Sequence, residues 1–423
     1  MKYARFIPLG VSLLLSASAQ KFPTKDLKTF DDAQNLKPGE FHKITPADLP
    51  KPFATSPVRM FGATPSRAEG LFPKAPPGFK VEVYATGAKS PRKIITAPNG
   101  DFFVAESNGG NIKVYRGIGA DGKYEKLETF AGGLNRPYGL AFYPPNNPQW
   151  LYVGNTNSVV RFAYKPGDMV ASAKPEVLVN DLPKNGNHWT RDIVFSRDGK
   201  KMFVSVGSNS NVDDPDTHPA EFHRADVLEF TPEGKFTKVY ASGIRNAAGL
   251  GMNPTTGEVW VSVNERDDLG DNLVPDYVSS IKEDGFYGWP YFYMGSNPDP
   301  RLEGKHPELQ SKTIVPDVLL TPHSASLGIT FYDGKMFPPE YQGDLFAAEH
   351  GSWNRSVRSG YEVIRVPLTN GKASGVYEDF LTGFVNEKGE AWGRPVGVTI
   401  AMDGSVLVTD DGANVIWRVT YKK

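Results

Sequence analysis

One outline recurs along the chain: an apolar strand, a tight polar turn, and a second apolar strand ending in a small or acidic residue. It first reads Lys93-Ile94-Ile95-Thr96, a turn at Pro98-Asn99-Gly100, then Phe102-Phe103-Val104-Ala105-Glu106. It returns from Gly139, Asp192, Gly249, Gly328 and Gly397, the last copy running through Asp403-Gly404 to Val406-Leu407-Val408-Thr409-Asp410. Successive starts are 46, 53, 57, 79 and 69 residues apart. A hairpin repeated at a period of about 50 residues buries its apolar faces only by stacking on its own copies, which is the logic of a β-propeller. The Asn-Gly and Asp-Gly turns supply the twist that tight hairpins prefer.

Further alternating segments at 112–115, 159–162 and 415–419 lie between the hairpins and bring each unit to four strands. The expectation is an all-β chain: a six-bladed β-propeller with four-stranded antiparallel blades over residues 76–423. The alternation at 81–84 marks a strand that closes the ring from the N-terminal side. A pair of β-sandwiches competes as a reading, but it does not produce six similar hairpins. The longer steps in the second half mark loop insertions, which in propellers gather at one end of the channel.

The first 75 residues have a different texture. Lys2 and Arg5 precede an apolar run at 6–16, and Ala17-Ser18-Ala19 gives a small-x-small pattern before Gln20. This is the form of a secretory signal peptide over residues 1–19, cleaved after Ala19, which predicts a periplasmic or secreted protein with no membrane span. Residues 20–75 are rich in proline and lack periodicity, as in an extended arm. The chain has no cysteine, which excludes disulfides, thiolate catalysis and iron–sulfur clusters. A formal net charge of -1 gives no global field for nucleic acid.

Candidate chemistry sits just before the hairpins. His188 lies in Asn187-His188-Trp189-Thr190-Arg191-Asp192, His323 precedes the fifth hairpin and His350 follows it. A histidine at the end of a channel can act as a base near neutral pH. There is no HExxH pair to hold zinc. Arg136, Arg245 and Arg394 stand three, four and three residues before Gly139, Gly249 and Gly397, and Arg191 directly precedes Asp192. Superposed blades would gather these guanidinium groups at one end, where they suit a ligand with several carboxylates or phosphates. Pairing with acids of neighbouring blades is the alternative, and spacing alone leaves both open. The acids and amides of 264–272 suit a hard cation such as calcium, without EF-hand spacing. The segment Gly285-Phe286-Tyr287-Gly288-Trp289-Pro290-Tyr291 is either a packed corner or a wall of the site.

Several ordered motifs carry a resemblance. Arg245-Asn246 with Gly249-Leu250, then Asn264-Glu265-Arg266-Asp267, Asp276-Tyr277 and Tyr287-Gly288-Trp289-Pro290 resemble the glucose/sorbosone dehydrogenase family over about residues 75–421. These are soluble quinoprotein sugar dehydrogenases with six-bladed propellers. The resemblance implies pyrroloquinoline quinone (PQQ), which carries three carboxylates, together with Ca2+. It implies His188 as the base that takes the proton of a sugar's C1 hydroxyl while hydride passes to the quinone C5 carbon. Arg245 and Asn246 match the pair beside the quinone, and Arg394 matches an arginine for a cofactor carboxylate. Glu265 and Tyr277 match calcium-site positions, with backbone carbonyls near Arg266 contributing.

Two places depart from the glucose-oxidising branch. A Gln-Asn pair is replaced by Leu134-Asn135-Arg136, which puts Arg136 among the cofactor-binding candidates. A Ser-Leu-Lys-Arg run is replaced by His350-Gly351-Ser352-Trp353-Asn354-Arg355, so Arg355 or His350 takes the place of a cofactor-binding lysine. Both favour the sorbosone/aldose branch. The implied partners are a small sugar substrate and an external electron acceptor, a cytochrome or quinone. A calcium-dependent lactonase, or a propeller that only binds glycans or a protein, are the alternatives on the same fold.

Overall fold

The computed structural model describes residues 22–25, 27–60, 64–184 and 186–422; the expected signal peptide lies outside them. Each recurrent hairpin supplies the two inner strands of an antiparallel sheet, and six such sheets follow in chain order among the described residues. Blade one is Pro91–Thr96, Phe102–Glu106, Asn111–Arg116 and Lys126–Ala131. Blade two is Gly139–Tyr143, Trp150–Asn155, Ser158–Ala163 and Glu176–Val179. Blade three is Ile193–Phe195, Met202–Val206, Asp226–Phe230 and Phe236–Ser242. Blade four is Ala247–Met252, Val259–Val263, Tyr277–Ile281 and Val318–Leu319. Blade five is Ser326–Phe331, Leu345–Glu349, Glu362–Val366 and Val376–Leu381. Blade six is Pro395–Ile400, Val406–Asp410 and Val415–Tyr421, completed by Phe79–Thr86 from the N-terminal side. That last pairing runs from Phe79 opposite Tyr421 to Thr86 opposite Val415 and closes the ring where the alternation at 81–84 predicted it.

The glycines that open the hairpins have a packing reason. A Cβ on Gly397 would stand 2.5 Å from the Arg92 carbonyl oxygen of blade one, and one on Gly328 would stand 2.6 Å from the Val396 carbonyl oxygen of blade six. Inner strands of neighbouring blades therefore meet backbone to backbone around the axis, and a side chain there would force them apart.

Ionic and apolar contacts block the channel midway. Lys93 Nζ of blade one lies 2.6 Å from Asp192 Oδ2 of blade three, both buried. The same oxygen accepts the Leu250 N–H of blade four at 2.8 Å. On one side is an apolar hollow of about 310 Å3 lined by Leu140, Phe142, Ile193, Leu250 and Ile329. On the other, Tyr138, Ala248, Leu327 and Val396 pack together, and Ala248 and Leu327 also line a separate polar cavity.

The described residues before the propeller, 22–25, 27–60 and 64–75, are wired into it. Phe41–Lys43 adds a fifth antiparallel strand to blade five, with Phe41 opposite Glu378. Farther on, the Phe53 N–H donates to the Leu269 carbonyl at 2.8 Å, and the Met60 N–H donates to the Trp353 carbonyl at 2.6 Å. The segment from 53 to 60 thus bridges a loop of blade four and a loop of blade five. The aromatic stretch after Gly285 is a packed corner, with the Trp289 indole N–H donating to the Asn211 carbonyl at 2.9 Å. Among the described residues, no helix is long and apolar enough to cross a membrane.

Candidate active site

The polar cavity at the second end of the channel has a volume of about 570 Å3 and is lined from five blades and the arm. Its lining is set by the short loops that precede inner strands and follow second strands. These are the positions where sequence reasoning located the histidines and arginines.

His188 lines this cavity. Its Nδ1 is 2.8 Å from the Ser208 carbonyl oxygen, an obligatory acceptor, and 3.0 Å from Ser208 Oγ, which donates its own proton to the Ser210 carbonyl. Nδ1 therefore carries the hydrogen, and Nε2 is left as the lone-pair nitrogen. Burial, reinforced by the nearby Arg245 charge, pulls its pKa down to about 3. The ring is neutral at physiological pH, with Nε2 as its unprotonated nitrogen. Gly207 lies against both His188 and Asn246. Asn246 lines the cavity, and its Oδ1 has no hydrogen-bond partner among the described residues.

The other two site histidines are in different states. His350 Nε2 donates to Asp411 Oδ1 at 2.8 Å, and burial beside Arg394 lowers its pKa to about 4. His323 has Nε2 3.1 Å from the Gly270 carbonyl and Nδ1 3.5 Å from Asp267 Oδ1. Burial works against its charge, but the bond and charge of Asp267 outweigh it and the pKa is raised.

The structure separates the arginines. Arg245 and Arg394 line the cavity and Arg136 does not, while Arg191 turns into the protein and donates to the backbone carbonyls of His188, Thr190 and Pro183. Arg245 commits all five N–H groups, to Asn211, Asn264, Glu265 and Asp267. It braces the wall and contributes charge more than donors. Arg394 donates Nε to the His350 carbonyl and Nη2 to the Gly351 carbonyl, each at 3.1 Å, leaving Nη1 without a partner among the described residues. Arg136 sits 4.0 Å above the Trp189 ring, with no carboxylate against it among the described residues. Arg355 does not reach the cavity: Nη1 binds Asp32 Oδ1 of the arm at 2.7 Å and Nη2 binds Asn272 at 3.2 Å. The position that replaces a lysine is thus an anchor for the arm.

The acids of 264–272 divide likewise. Glu265, Asp267 and Asp268 line the cavity, joined by Asp276. Burial raises Glu265 to about 8 and Asp276 to about 6. Asp276 accepts the backbone N–H groups of Glu265 and Ala325, both at 2.6 Å. Tyr277 is buried, its hydroxyl unpartnered among the described residues and its pKa held up by burial. The Arg266 side chain turns away and clamps Asp299 through Nε at 2.5 Å and Nη2 at 3.1 Å. Among the described residues, only Asp214, Asp216 and His306 bring three acid or histidine ligand atoms for a metal together, away from the cavity, and Tyr291, Lys305 and Glu308 already hold members of that group.

Sequence reasoning missed Arg92, Asn211, Arg59 and Trp353, all of which line the cavity. Arg92 Nη1 binds Asp411 at 2.6 Å. It directly precedes Lys93 as Arg191 precedes Asp192, so aligning the hairpins offers the signal. Arg59 comes from the arm, 3.1 Å from Asp268 and 5.9 Å from the Trp353 ring. Nothing in the aperiodic arm marks it.

The fold is thus a six-bladed propeller with a cavity lined by arginines, acids and a neutral histidine at one end. Residues 73–284 and 300–422 match the TrAA12-like family model. The chain is 31% identical over 363 residues to an uncharacterized protein of Borreliella burgdorferi, covering 83% of this chain and 91% of that one. It is 23% identical over 403 residues to the pyrroloquinoline quinone-dependent pyranose dehydrogenase of Coprinopsis cinerea, covering 81% of this chain and 54% of that one. It thus spans about half the length of that enzyme, whose holo PQQ domain superposes with a TM-score of 0.70 at 22% identity, over 86% of this chain and 100% of that domain. A calcium structure of the Trichoderma reesei AA12 enzyme superposes with a TM-score of 0.72 at 19% identity, over 83% and 97% of the two chains. The chain belongs to the TrAA12-like family, and the resemblance to the PQQ-dependent soluble sugar dehydrogenases read from its motifs holds.

Proposed function

We propose that the protein is an exported PQQ- and calcium-dependent dehydrogenase that oxidises an aldose or related hemiacetal sugar and passes electrons to an external acceptor. The observation that carries this is a neutral, Nδ1-anchored His188 in one cavity with Arg245 and with Arg394, whose Nη1 has no partner among the described residues. Those guanidinium groups suit an acid with several carboxylates. Arg394 would hold a carboxylate, Asn246 would face the ring system, and Arg245, its donors committed, would act through charge. His350, held by Asp411, would pack against the cofactor edge, and Glu265 with Tyr277 would hold calcium. When bound, PQQ would supply a hydride acceptor at C5 and calcium a Lewis acid for its C5 carbonyl.

The chain's own proposed part is proton transfer. Nε2 of His188 takes the C1 hydroxyl proton, and the Ser208 carbonyl stabilises the imidazolium that forms through Nδ1–H. The replacements at Leu134-Asn135-Arg136 and 350–355 favour the sorbosone/aldose branch over glucose oxidation. Reconstitution tests the reading. Purified protein with PQQ, calcium and an artificial acceptor is assayed on a sugar panel, and PQQ binding is followed by absorbance. Saturable PQQ binding with sugar-dependent reduction supports it; no binding and no turnover refute it. His188→Ala should lose most turnover while keeping PQQ affinity. Lactone hydrolysis without PQQ would instead assign the cavity to a calcium-dependent hydrolase.

A further inference from the structure

The arm puts Arg59 into the cavity wall beside Asp268 and Trp353. The residues on either side of Arg59 are pinned to the loop that follows the second strand of blade five. Asn354 Nδ2 donates to the Val58 carbonyl at 2.8 Å, and the Met60 N–H donates to the Trp353 carbonyl at 2.6 Å. Farther back, the Asp271 N–H donates to Thr55 Oγ1 at 2.7 Å. Gly270 makes room for the crossing: its φ is +110°, and a Cβ there would stand 2.9 Å from the Thr55 carbonyl oxygen. These contacts fix the path of the arm without help from the Arg59 side chain.

That side chain stands at the rim. It is 61% exposed and that of Asp268 33%, against 5% for Arg245. Arg59 Nη2 lies 3.1 Å from Asp268 Oδ2, and the guanidinium is 5.9 Å from the centroid of the Trp353 ring. An ion pair so exposed contributes little to folding. Asp268 does not depend on it for its position: its N–H donates to Asn354 Oδ1 at 2.8 Å, and its Oδ1 accepts from Asn354 Nδ2 at 3.2 Å. The rim therefore offers a fixed carboxylate, a forked donor beside it and an indole next to both. Two adjacent hydroxyls of a sugar fit that set. One donates to the carboxylate, the other accepts from the guanidinium, and the C–H groups of the ring pack on the indole.

We propose that Arg59, Asp268 and Trp353 form a specificity subsite for two vicinal hydroxyls of the sugar, those at C3 and C4. The inference rests on the dehydrogenase reading, in which C1 faces His188. In a six-membered ring C4 lies opposite C1, so the C3 and C4 hydroxyls are the pair that reaches a different wall of the cavity. His188 precedes the first strand of blade three, whereas Asp268 and Trp353 follow the second strands of blades four and five. A site built to hydrogen-bond hydroxyls selects against analogues that lack them. No blade supplies Arg59, so this part of the selectivity belongs to the arm.

The test compares full-length, PQQ- and calcium-loaded wild type with Arg59→Gln on a panel of aldopyranoses, and on the 3-deoxy and 4-deoxy forms of the best substrate. In wild type each deoxy form should lose about tenfold in kcat/KM. Arg59→Gln should raise KM for the parent sugar about tenfold with kcat, PQQ affinity and Tm unchanged. It should also abolish the penalty for the deoxy form whose missing hydroxyl Arg59 binds, since that partner is already gone. Saturation-transfer NMR on cofactor-free wild type should mark H3 and H4 of the sugar above its other ring protons, and Arg59→Gln should erase the difference. Equal deoxy penalties in the two proteins, an unchanged KM or a uniform saturation pattern overturns the subsite alone. A weakened PQQ affinity overturns it in favour of a cofactor contact, and a lowered Tm in favour of a structural tie. An inactive wild type with no PQQ binding overturns the dehydrogenase reading and the subsite with it.

Discussion

Gly207 is the position where packing and chemistry are most tightly linked. A Cβ placed there stands 2.7 Å from His188 Cβ and closer still to Asn246 Oδ1, whereas ordinary contact begins at 3.4 Å. Gly207→Ala must therefore displace His188 by about 0.7 Å or Asn246 by more. Gly207 has no positive φ, so the backbone suits alanine and the cost is steric. Overpacking of this kind costs about 1–3 kcal/mol, seen as a fall in Tm of a few degrees. A displacement approaching 1 Å at a reacting group costs about a hundredfold in rate. The assay is kcat/KM in PQQ- and calcium-loaded enzyme beside a thermal melt and a PQQ titration. The expected result is a small loss of Tm with a large loss of kcat/KM. A lowered Tm with wild-type kcat/KM would remove His188 and Asn246 from the chemistry; wild-type values of both would refute the packing.

Three further outcomes follow. Lys93→Met strands Asp192 as a buried charge and should cost about 3–5 kcal/mol by chemical denaturation, while wild-type stability would show that the ion pair does not tie the blades. Arg59→Gln should raise KM and leave kcat and PQQ affinity unchanged, since Arg59 reaches the cavity from the arm; an unchanged KM removes the arm from substrate recognition. The pH response has opposite signs for two sets of groups. His188 at about 3 and His350 at about 4 lie below the ordinary 6.5, so the unfolded chain binds more protons below pH 6.5 and their contribution to stability is lost as pH falls. Glu265 and Glu349, both raised to about 8, contribute stability present below about pH 4.5 and lost as pH rises toward 8. Glu349→Gln should therefore gain in melting temperature relative to wild type at pH 8 and not at pH 5, and equal shifts at both would refute the sign.

The legible part of the sequence is the part that repeats. Gly139, Gly249, Gly328 and Gly397 recur because inner strands meet backbone to backbone, so the need for a missing side chain is written at four of the six hairpin starts. Arg136, Arg245 and Arg394 were readable for the same reason: a fixed offset from a repeated strand puts them at one end of the channel. Arg191 shares the spacing argument but not the outcome, because its donors find backbone carbonyls within its own loop. The arm was unreadable because its contacts join residues some 300 positions apart and carry no period. Arg355 shows the consequence: taken alone it looks like a substitute lysine, yet its partner Asp32 lies in that aperiodic stretch.

The three site histidines show why residue type alone does not assign a role. Each lies near a carboxylate or an arginine at one end of the same channel. The difference is what each ring nitrogen faces. His323 has a carbonyl on one side and a carboxylate on the other, so its surroundings favour the protonated ring and work against a role as a base. His350 gives Nε2–H to a carboxylate already shared with Arg92, which fixes its orientation. His188 gives Nδ1–H to a carbonyl, beside the Arg245 charge that disfavours a second proton. The imidazolium formed there is less stable than in water, and its proton is readily passed on. In the proposed dehydrogenase such a weak base would act as hydride departure makes the hydroxyl proton acidic.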